Sequence, residues 1–471
     1  MKKIPLSPFS VIIPMVVLVP FTNLYAETVQ EAVEKVISGH DRILAVKADL
    51  SASESRVKQT IATSWTPEFN VSTHFGAEAQ SNQASGANTD LYSRELDFKL
   101  TQRVWDWGKA DADISVSQST RSQMQASLDA ASQLLMLDAV TAYIGLKRSQ
   151  KLVEYARQSI ENIQRQSEVE DARVSLGSGY STDVLQVKTQ LAGAEARLIQ
   201  SKGALQLAKN RVRTIFQRDP EEVALLEMGP PDFNILPATI TQAVDYSLAA
   251  NPMGRQLDAA RKMLDSQAES VMKSTFYPAV NAIIEHKAKE DVSGVAEFER
   301  ETFARLEVSF PFNTGLAGLD SINASRQDAE AARRRHRDLL LQISEQTRSA
   351  WNNLETAKNK ASMLRNQARL AEKFLELARE ERKLNKRTLL DILNGETALI
   401  NAQSDALSAE ADVKIAFYTL IQSMGALSAD LLGQDHAAGI KPLEVVPVSE
   451  DVELKLPFTK EDVSYHLSHQ W

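Results

Sequence analysis

The sequence is 471 residues long, with 43% hydrophobic and only 6% aromatic residues, and it carries a formal net charge of −9. This length suggests more than one domain, the few aromatic residues favour helices over a conventional β-sandwich, and the acidic balance argues against a nucleic-acid partner. The absence of cysteine excludes disulfides, thiol chemistry, Cys-based metal sites and a lipid attached to cysteine.

The first 26 residues have the features of a secretory signal peptide. Lys2 and Lys3 precede the apolar run FSVIIPMVVLVPF, and cleavage is expected after Ala26. A membrane anchor is the alternative, but the run is short and is broken by Pro14 and Pro20. Because no run of 18 apolar residues follows, we expect no transmembrane helix, so an exported chain that crosses a bilayer has to do so with β-strands.

The remaining sequence contains two copies of one sequence unit. Its first part matches at an offset of 211 residues and its last part at 208. Aligned pairs include Ala32 with Ala243, Pro67 with Pro278, Ala142 with Ala350, Asp183 with Asp391, and Leu185 with Leu393. We therefore predict a tandem duplication, with a signal peptide over 1–26, a first repeat over 27–237, a second repeat over 238–427 and an irregular tail over 428–471.

A β-hairpin is predicted after the opening helices of each repeat. Apolar and polar residues alternate over 69–76 and 96–101 in the first repeat, and over 280–284 and 306–312 in the second. The polar stretches SNQASGANTD and HKAKEDVSGVAEFERET are expected to be the hairpin loops. Such hairpins suit either a soluble layer packed on helices or strands that cross a membrane, which need about 9–11 residues.

Aromatic residues at one end of all four strands favour the membrane interpretation, because such belts lie at membrane interfaces. They are Trp65, Trp105 and Trp107 in the first repeat, and Phe276, Tyr277 and Phe312 in the second. Membrane barrels begin at about eight strands, and lipid does not tolerate an open sheet edge. A chain with four membrane strands therefore has to oligomerise.

Two long windows contain no proline, one between Pro67 and Pro220 and the other between Pro311 and Pro442. Proline stops or kinks a helix, so both windows permit long helices. The segment from Gly108 to about Leu176 has about 70 residues, which corresponds to roughly 100 Å of helix. A helix of that length cannot fold back on one globular core, and we expect it to pack along neighbouring helices.

Signals for an enzyme are weak. The seven histidines are scattered, and the close pair His466 and His469 has no carboxylate at metal-site spacing. The stretch GSGYST lacks the lysine of a phosphate-binding loop and is predicted to be a helix–helix turn. Acidic pairs such as Glu170 and Asp171 are expected on solvated helix faces. We expect no enzyme activity, no cofactor and no metal.

The order and spacing of these features resemble the TolC-like outer-membrane efflux family to about residue 427. The resemblance rests on the duplication, the strand-to-helix links QRVWDWGKA and FPFNTGLAG, and the turn pair GSGYSTDVL and NKRTLLDIL. It implies a mainly α fold in which three chains supply four strands each to a twelve-stranded membrane barrel. The duplicated long-helix coiled coils would continue that barrel as an α-helical tunnel across the periplasm.

The resemblance also suggests roles for residues near the two turns. It places Asp391 at the periplasmic pore entrance, where threefold symmetry would make a ring of carboxylates, with Asn394 in place of a second family aspartate. Arg387 and Asp183 match positions used for contacts that hold the entrance shut. The alternative for Asp391 is a residue that only caps or solvates a helix end. The turns are predicted to dock an adaptor through Gly177, Ser178, Gly179, Asn385 and Lys386.

The predicted function is a passive exit duct for polypeptide in type I secretion. The absence of a lipidation cysteine and the single entrance aspartate favour it, and the alternative is the outer-membrane component of a multidrug or small-molecule efflux pump. A periplasmic coiled-coil adaptor or a structural protein is a more remote alternative. The expected partners are two further copies in a homotrimer, a periplasmic adaptor, an inner-membrane ABC transporter or proton-driven pump, and outer-membrane lipid.

Overall fold

The computed structural model describes residues 27–433, except for 83–86, 227, 229, 294–295, 311–315 and 385. Four predictions fall outside this described part: the signal peptide, the interfacial position of Phe312, the docking role of Asn385, and the tail beyond residue 433.

The same order of helices and strands occurs twice. The first half contains α1 (Val29–Gly39), α2 (Asp41–Trp65), β1 (Glu68–Asn82), β2 (Ala87–Trp105), α3 (Lys109–Ser175) and α4 (Ser181–Phe216). The second half contains α6 (Ile240–Ala250), α7 (Pro252–Phe276), β3 (Ala279–Glu290), β4 (Phe298–Ser309), α8 (Ala317–Lys383) and α9 (Leu389–Ser423). Between the halves lie α5 (Pro220–Leu225) and a 3-10 turn, Phe233–Ile235.

The equivalent helices of the two halves match in length. The helices α3 and α8 have 67 residues each, which is about 100 Å at ~1.5 Å per residue. Their partners α4 and α9 have 36 and 35 residues. This confirms the predicted fold class, a duplicated long-helix protein with four strands. In the described ranges, none of the helices is long and apolar enough to cross a membrane.

Equivalent residues also begin equivalent helices. Thr28 precedes α1 and its hydroxyl accepts a hydrogen bond from the Glu31 N–H at 3.3 Å, while Thr239 precedes α6 and accepts from the Gln242 N–H at 3.3 Å. A threonine in this position satisfies one of the free N–H groups of the first turn. The duplicated sequence therefore specifies the same helix start in both halves.

The four strands form one antiparallel sheet in the order β1-β2-β3-β4. Leu100 of β2 lies opposite Phe69 of β1 and Ile284 of β3, and Ile284 lies opposite Ala304 of β4. The register shifts between Arg103 and Trp105, where a bulge precedes the last pair of β2 with β3, Trp105 with Val280. Among the described strands, β1 and β4 form the two edges of the sheet.

The strands extend into the polar stretches that were predicted to be loops. The β1–β2 ladder continues to the pair Asn82 and Ala87, and the β3–β4 ladder continues to Glu290 and Phe298. The predicted loop boundaries were therefore wrong. Backbone hydrogen bonds hold a hairpin ladder together whatever the side chains are, so loss of the apolar alternation did not mark the end of the strands.

The main hydrophobic core lies where α3 and α9 cross the short helices and the segment that links the halves. Leu135 and Leu146 of α3 pack there with Phe417 and Leu420 of α9, and all four are almost fully buried. After α9, a 3-10 turn at Ala429–Leu432 adds two leucines to this core. The long helices extend from the core towards the sheet at one end and towards the turns at the other.

Candidate functional site

The exposed face of the sheet is apolar. Phe69, Ile284 and Leu306 lie on this face and are 63%, 52% and 71% exposed. On the opposite face Ile283 and Glu285 are buried, at 3% and 6% exposure. A protein whose sheet faces water has the reverse arrangement, and a large exposed apolar surface marks contact with lipid or with another molecule.

The crowded face carries most of the charges of the sheet. The carboxylate of Glu285 accepts a hydrogen bond from Lys287 at 3.0 Å and lies 3.4 Å from Arg305, and Lys289 pairs with Glu301 at 2.9 Å. An ionic network of this kind is costly in lipid, whereas it is stable where water reaches it. The sheet therefore has one face suited to hydrocarbon and one suited to a water-filled lumen, which is the alternation of a membrane barrel strand.

The predicted interfacial aromatic residues that the structure describes gather at the helical end of the sheet. The ring of Trp107 lies 6.3 Å from that of Trp105 and stacks on Tyr277 at 6.0 Å, so residues of both halves meet there. Trp65 and Phe276 end α2 and α7 at the same level, and both are partly exposed. These rings have the location and exposure of an aromatic belt.

The turn between α3 and α4 is closed by glycine. Gly177 has φ +73°, a left-handed conformation that glycine adopts without strain. Its N–H donates to the Val174 carbonyl at 3.0 Å, and the Ser178 N–H donates to the Arg173 carbonyl at 2.9 Å. These bonds form the common helix-ending motif in which a left-handed residue follows the last turn. Gly179 packs so closely on Arg173 and Val174 that an added Cβ would lie 3.0–3.1 Å from their backbone atoms.

The turn between α8 and α9 places Asp391 in a capping box. The Asp391 N–H donates to the Thr388 hydroxyl at 3.2 Å, and Oδ2 of Asp391 accepts from the Thr388 N–H at 3.1 Å and its hydroxyl at 2.9 Å. These hydrogen bonds stabilise the ionised carboxylate and lower the pKa of Asp391 below its ordinary value. Asn394 is exposed one turn further along α9. The structure thus gives Asp391 a capping role within one chain.

Arg387 has its partner inside the same turn. Its Nε donates to Glu381 at 2.6 Å, and its guanidinium lies 5.7 Å from the centre of the Phe374 ring. The ion pair with Glu381 raises the pKa of Arg387. Asp183 lies in the first turn of α4, and among the described residues of one chain no side chain forms a hydrogen bond or ion pair with it. One chain therefore does not bring Arg387 and Asp183 together.

The expectation that the acidic pair near the first turn is solvated holds for Asp171, which is exposed, and is wrong for Glu170. Its side chain on α3 is only 2% exposed and lies 2.9 Å from Arg382 of α8 and 3.5 Å from Arg173. Arg382 also donates to the Arg387 carbonyl at 3.4 Å, so one arginine connects the first hairpin to the second turn. Glu170 follows the buried Ile163 by seven residues, a spacing that places both on one helix face and could have indicated its burial.

A second buried glutamate lies about two turns above the second helix–helix turn. Glu396 of α9 is paired with Arg379 of α8, and its other oxygen lies 3.5 Å from the Asn162 side chain of α3. Arg379 and Arg382 are one turn apart on α8, and they pair with acids of different neighbouring helices. No group of three or more His, Cys, Asp or Glu side chains in the described part of the chain is arranged to hold a metal ion.

Sequence comparisons place these features among known proteins. The model of the outer membrane efflux protein family matches residues 32–216. The chain is 23% identical over 350 residues to the outer membrane efflux protein BepC of Brucella suis, covering 74% of this chain and 75% of BepC. It is 20% identical over 449 residues to the outer membrane protein TolC of Escherichia coli, covering 90% and 87% of the two chains. With the alkaline protease secretion protein AprF of Pseudomonas aeruginosa, identity is 24% over 312 residues, covering 64% and 63%.

Solved structures show the same fold. The CmeC outer membrane channel of Campylobacter jejuni superposes with a TM-score of 0.75 at 12% identity, covering 87% of each chain. The outer membrane protein VceC of Vibrio cholerae superposes with a TM-score of 0.72 at 16% identity, covering 84% of this chain and 96% of VceC. At these identities the likeness concerns the arrangement of helices and strands.

Proposed function

This chain belongs to the TolC-like family of outer membrane efflux proteins, and on that premise we propose that it is the passive exit duct for polypeptide in a tripartite export system. It is an outer-membrane channel protein that extends into the periplasm. The observation that carries the proposal is the sheet with an apolar exposed face and a charged inner face, joined to helices about 100 Å long. The apolar face of the sheet is suited to contact with membrane lipid, and the long helices are suited to form the wall of a tunnel.

A homotrimer is the proposed working unit. The edges β1 and β4 each lack a second partner strand among the described residues of one chain, and lipid does not tolerate unpaired backbone groups. Joining β4 of one copy to β1 of the next closes twelve strands with three copies, above the minimum of about eight. Large apolar side chains on the long helices, such as Ile199, Leu207 and Leu341, are exposed in one chain and would be covered in the assembly.

The ends of the two helical hairpins are proposed as the entrance of the tunnel. Asp391 and Asn394 lie one turn apart on α9, and repetition by threefold symmetry would surround the pore with three carboxylates and three amides. The periplasmic adaptor is proposed to dock on the turns, at Gly177, Ser178, Gly179, Asn385 and Lys386. Leu176, Tyr180 and Leu384 support this location because they are large apolar side chains and remain exposed at the turns.

Energy for export is proposed to come from an inner-membrane partner, because a duct of this kind only guides its cargo. Opening the entrance requires the two hairpins of a chain to move apart, and the buried pair of Glu170 and Arg382 connects them. Docking of the adaptor would favour the opened arrangement by its differential affinity for the two states. The names of the relatives, which are channels and efflux or secretion proteins, support the expectation that the chain is not an enzyme.

Two cargo classes are separated by one experiment. AprF is named a protease secretion protein, which supports polypeptide secretion, and we expect an ABC transporter as the partner for that use. BepC is named an efflux protein, which supports the alternative, and we expect a proton-driven pump as the partner for small-molecule efflux. Cross-linking the tagged protein in intact cells and identifying its partners by mass spectrometry tests this. Recovery of an ABC transporter with its adaptor is the expected result, and recovery of a proton-driven pump with its adaptor would establish the alternative.

The remote alternative is a periplasmic adaptor or structural protein that forms no channel. Reconstitution of the full chain into planar bilayers distinguishes it from the proposed duct. We expect ohmic single-channel currents and release from outer membranes only by detergent. A protein that is fully released without detergent and conducts no current would overturn the proposed function.

A further inference from the structure

At the end away from the helices, the last row that all four strands share on the exposed apolar face combines aromatic and charged residues. Read across the four strands in order, this row contains Phe75, Arg94, Glu290 and Phe298. The adjacent row, one step nearer to the helices, contains Thr73, Leu96, Ala288 and Arg300. The two arginines therefore lie on the face that contacts lipid in the proposed assembly, and both are near its far boundary.

The position of these rows matches the second interface of a membrane. On β4, ten residues separate Phe298 from Val308, which lies level with the aromatic residues at the helical end. Ten residues of strand rise by about 33 Å, and a tilt of about 40° reduces this to about 25 Å across the membrane. Membrane barrels have an apolar band of about 25 Å between two aromatic belts. Phe75 and Phe298 therefore mark the outer interface.

Arg300 reaches towards this outer interface. Its guanidinium lies 5.0 Å from the centre of the Phe298 ring, and Phe298 is the residue two positions nearer to the loop end. Long basic side chains extend in this way from an apolar surface to the headgroups. Arg94 already pairs with Glu290 at 3.3 Å, whereas in the described part of the chain no carboxylate lies within ion-pair distance of Arg300.

A neighbouring copy would not supply that carboxylate. Arg300 is on the edge strand β4, which would meet β1 of the next copy in the proposed assembly. Among the side chains of β1 that the structure describes, those on the same face are Phe69, Val71, Thr73, Phe75, Ala77 and Ala79. All six are uncharged, so the guanidinium of Arg300 remains available to an anion from outside the protein.

We propose that Arg300, assisted by Arg94, binds phosphate groups of the lipid in the outer leaflet of the outer membrane. The proposal rests on the proposed function, because that function places the helices in the periplasm and the strand loops outside the cell. A planar guanidinium donates two parallel hydrogen bonds to one phosphate, and its position over Phe298 orients it at the headgroup level. The bound lipid would fasten the outer end of the sheet to the leaflet.

Titration of the purified full-length assembly with labelled lipopolysaccharide tests the proposal. We compare lipopolysaccharide with the same material after enzymatic removal of its phosphates. The wild type is expected to bind the phosphorylated form about tenfold more tightly, the usual contribution of one charge-assisted pair. Arg300→Gln is expected to lose this difference, Arg300→Lys to retain part of it, and Lys99→Gln, which removes a positive charge from the inner face of β2, to bind as the wild type does.

Equal binding of the two lipid forms by the wild type, or equal affinities of the wild type and Arg300→Gln for the phosphorylated form, would overturn the proposal. Binding of phosphatidylglycerol vesicles as tight as that of lipopolysaccharide would refute the outer-leaflet assignment. Single-channel conductance is measured on the same preparations. Arg300 lies on the face away from the lumen, so conductance does not depend on it. If the lipid-binding test fails while the channel still conducts, only the lipid-binding proposal is overturned. If no conductance is observed, that result counts against the proposed function.

Discussion

The carboxylate of Glu170 on α3 and the guanidinium of Arg382 on α8 lie 2.9 Å apart, and this contact joins the two halves of the duplicated chain near their turns. Glu170 is almost fully buried, and Arg382 is mostly buried. A buried charge is stable only while its partner remains in place. The contact therefore couples the geometry of one hairpin to that of the other.

Replacing Arg382 by methionine is expected to loosen the turns. Removing one partner of a buried ion pair typically costs about 3–5 kcal/mol, and Arg173, 3.5 Å from Glu170, compensates part of this, so we expect about 2–3 kcal/mol. Hydrogen exchange of the amides at the two turns measures the local opening free energy. Lys383→Gln removes the exposed pair with Glu380 and is the control, for which a change below about 0.5 kcal/mol is expected. Equal exchange in both variants would contradict a coupling role for Glu170.

Two variants separate the capping role of Asp391 from its proposed role in the pore. Asp391→Asn removes the charge, and it is expected to lower the cation selectivity of the reconstituted channel because the carboxylate ring is lost. Thr388→Ala removes the hydroxyl of the capping box, costs about 1 kcal/mol of local stability and keeps the carboxylate. It should leave selectivity near the wild-type value. If Asp391→Asn conducts with unchanged selectivity, the ring assignment fails.

The pH dependence of that selectivity follows from the hydrogen bonds of Asp391. They lower the pKa of its carboxyl, so the group stays charged above its ordinary pKa and loses its charge only as the pH falls through the lowered value. Selectivity due to Asp391 should therefore persist to a lower pH than an ordinary aspartate allows. Reversal potentials measured from pH 7 downwards test this. In Thr388→Ala, the pH at which half of this selectivity is lost should be higher than in the wild type. The same pH in both proteins would show that the Thr388 hydroxyl does not lower the pKa of Asp391.

Alanine in place of Gly177 is expected to weaken the first turn. The left-handed backbone at φ +73° costs a residue with a Cβ roughly 1–2 kcal/mol. The matched control is Gly193→Ala within α4, where an added Cβ meets no atom within 4 Å. That change should raise stability by about 0.5–1 kcal/mol, because alanine favours a helix over glycine. Urea unfolding of the detergent-solubilised protein compares the two, and a loss of stability in both would refute the account of Gly177.

A charge on the apolar face of the sheet is expected to prevent stable insertion. Ile284 lies in the middle of the apolar band on the inner strand β3, where an arginine costs about 2–4 kcal/mol in lipid. Ile284→Arg should therefore reduce the amount of protein in the outer-membrane fraction. Glu307→Arg places an arginine on the other face of β4 and should insert normally. Normal insertion of both variants would contradict the assignment of the faces.

Much of this fold could be predicted because the positions of proline and the alternation of apolar and polar residues indicate where the long helices and the strands lie. The proline-free windows contain α3 and α8, and each alternating stretch overlaps one of the four strands. Because the sequence is duplicated, equivalent helices of the two halves were expected to have matching lengths, as α3 and α8 do. The strand ends could not be predicted from alternation, since the ladders continue to Asn82 and Glu290 through backbone hydrogen bonds alone.

The site was less predictable than the fold. Glu170 was placed on a solvated face because a glutamate without a visible partner favours water, and its partner Arg382 is 212 residues away in sequence. The capping box of Asp391 was one of the two interpretations that the sequence left open, since the pattern Thr-x-x-Asp at a helix start is local. The proposed role of Asp391 in a pore would depend on the arrangement of neighbouring copies, which the contacts within one chain do not specify.

The open edges of the sheet have a genetic consequence. In the proposed homotrimer, each copy would pair with one neighbour through β1 and with the other through β4. A chain with an intact β1 and a defective β4 would still enter the ring and would leave it unclosed. Such an allele would damage channels built partly from normal chains, and it would therefore be dominant over the normal allele. A mutant that fails to fold joins no ring, and it would be recessive.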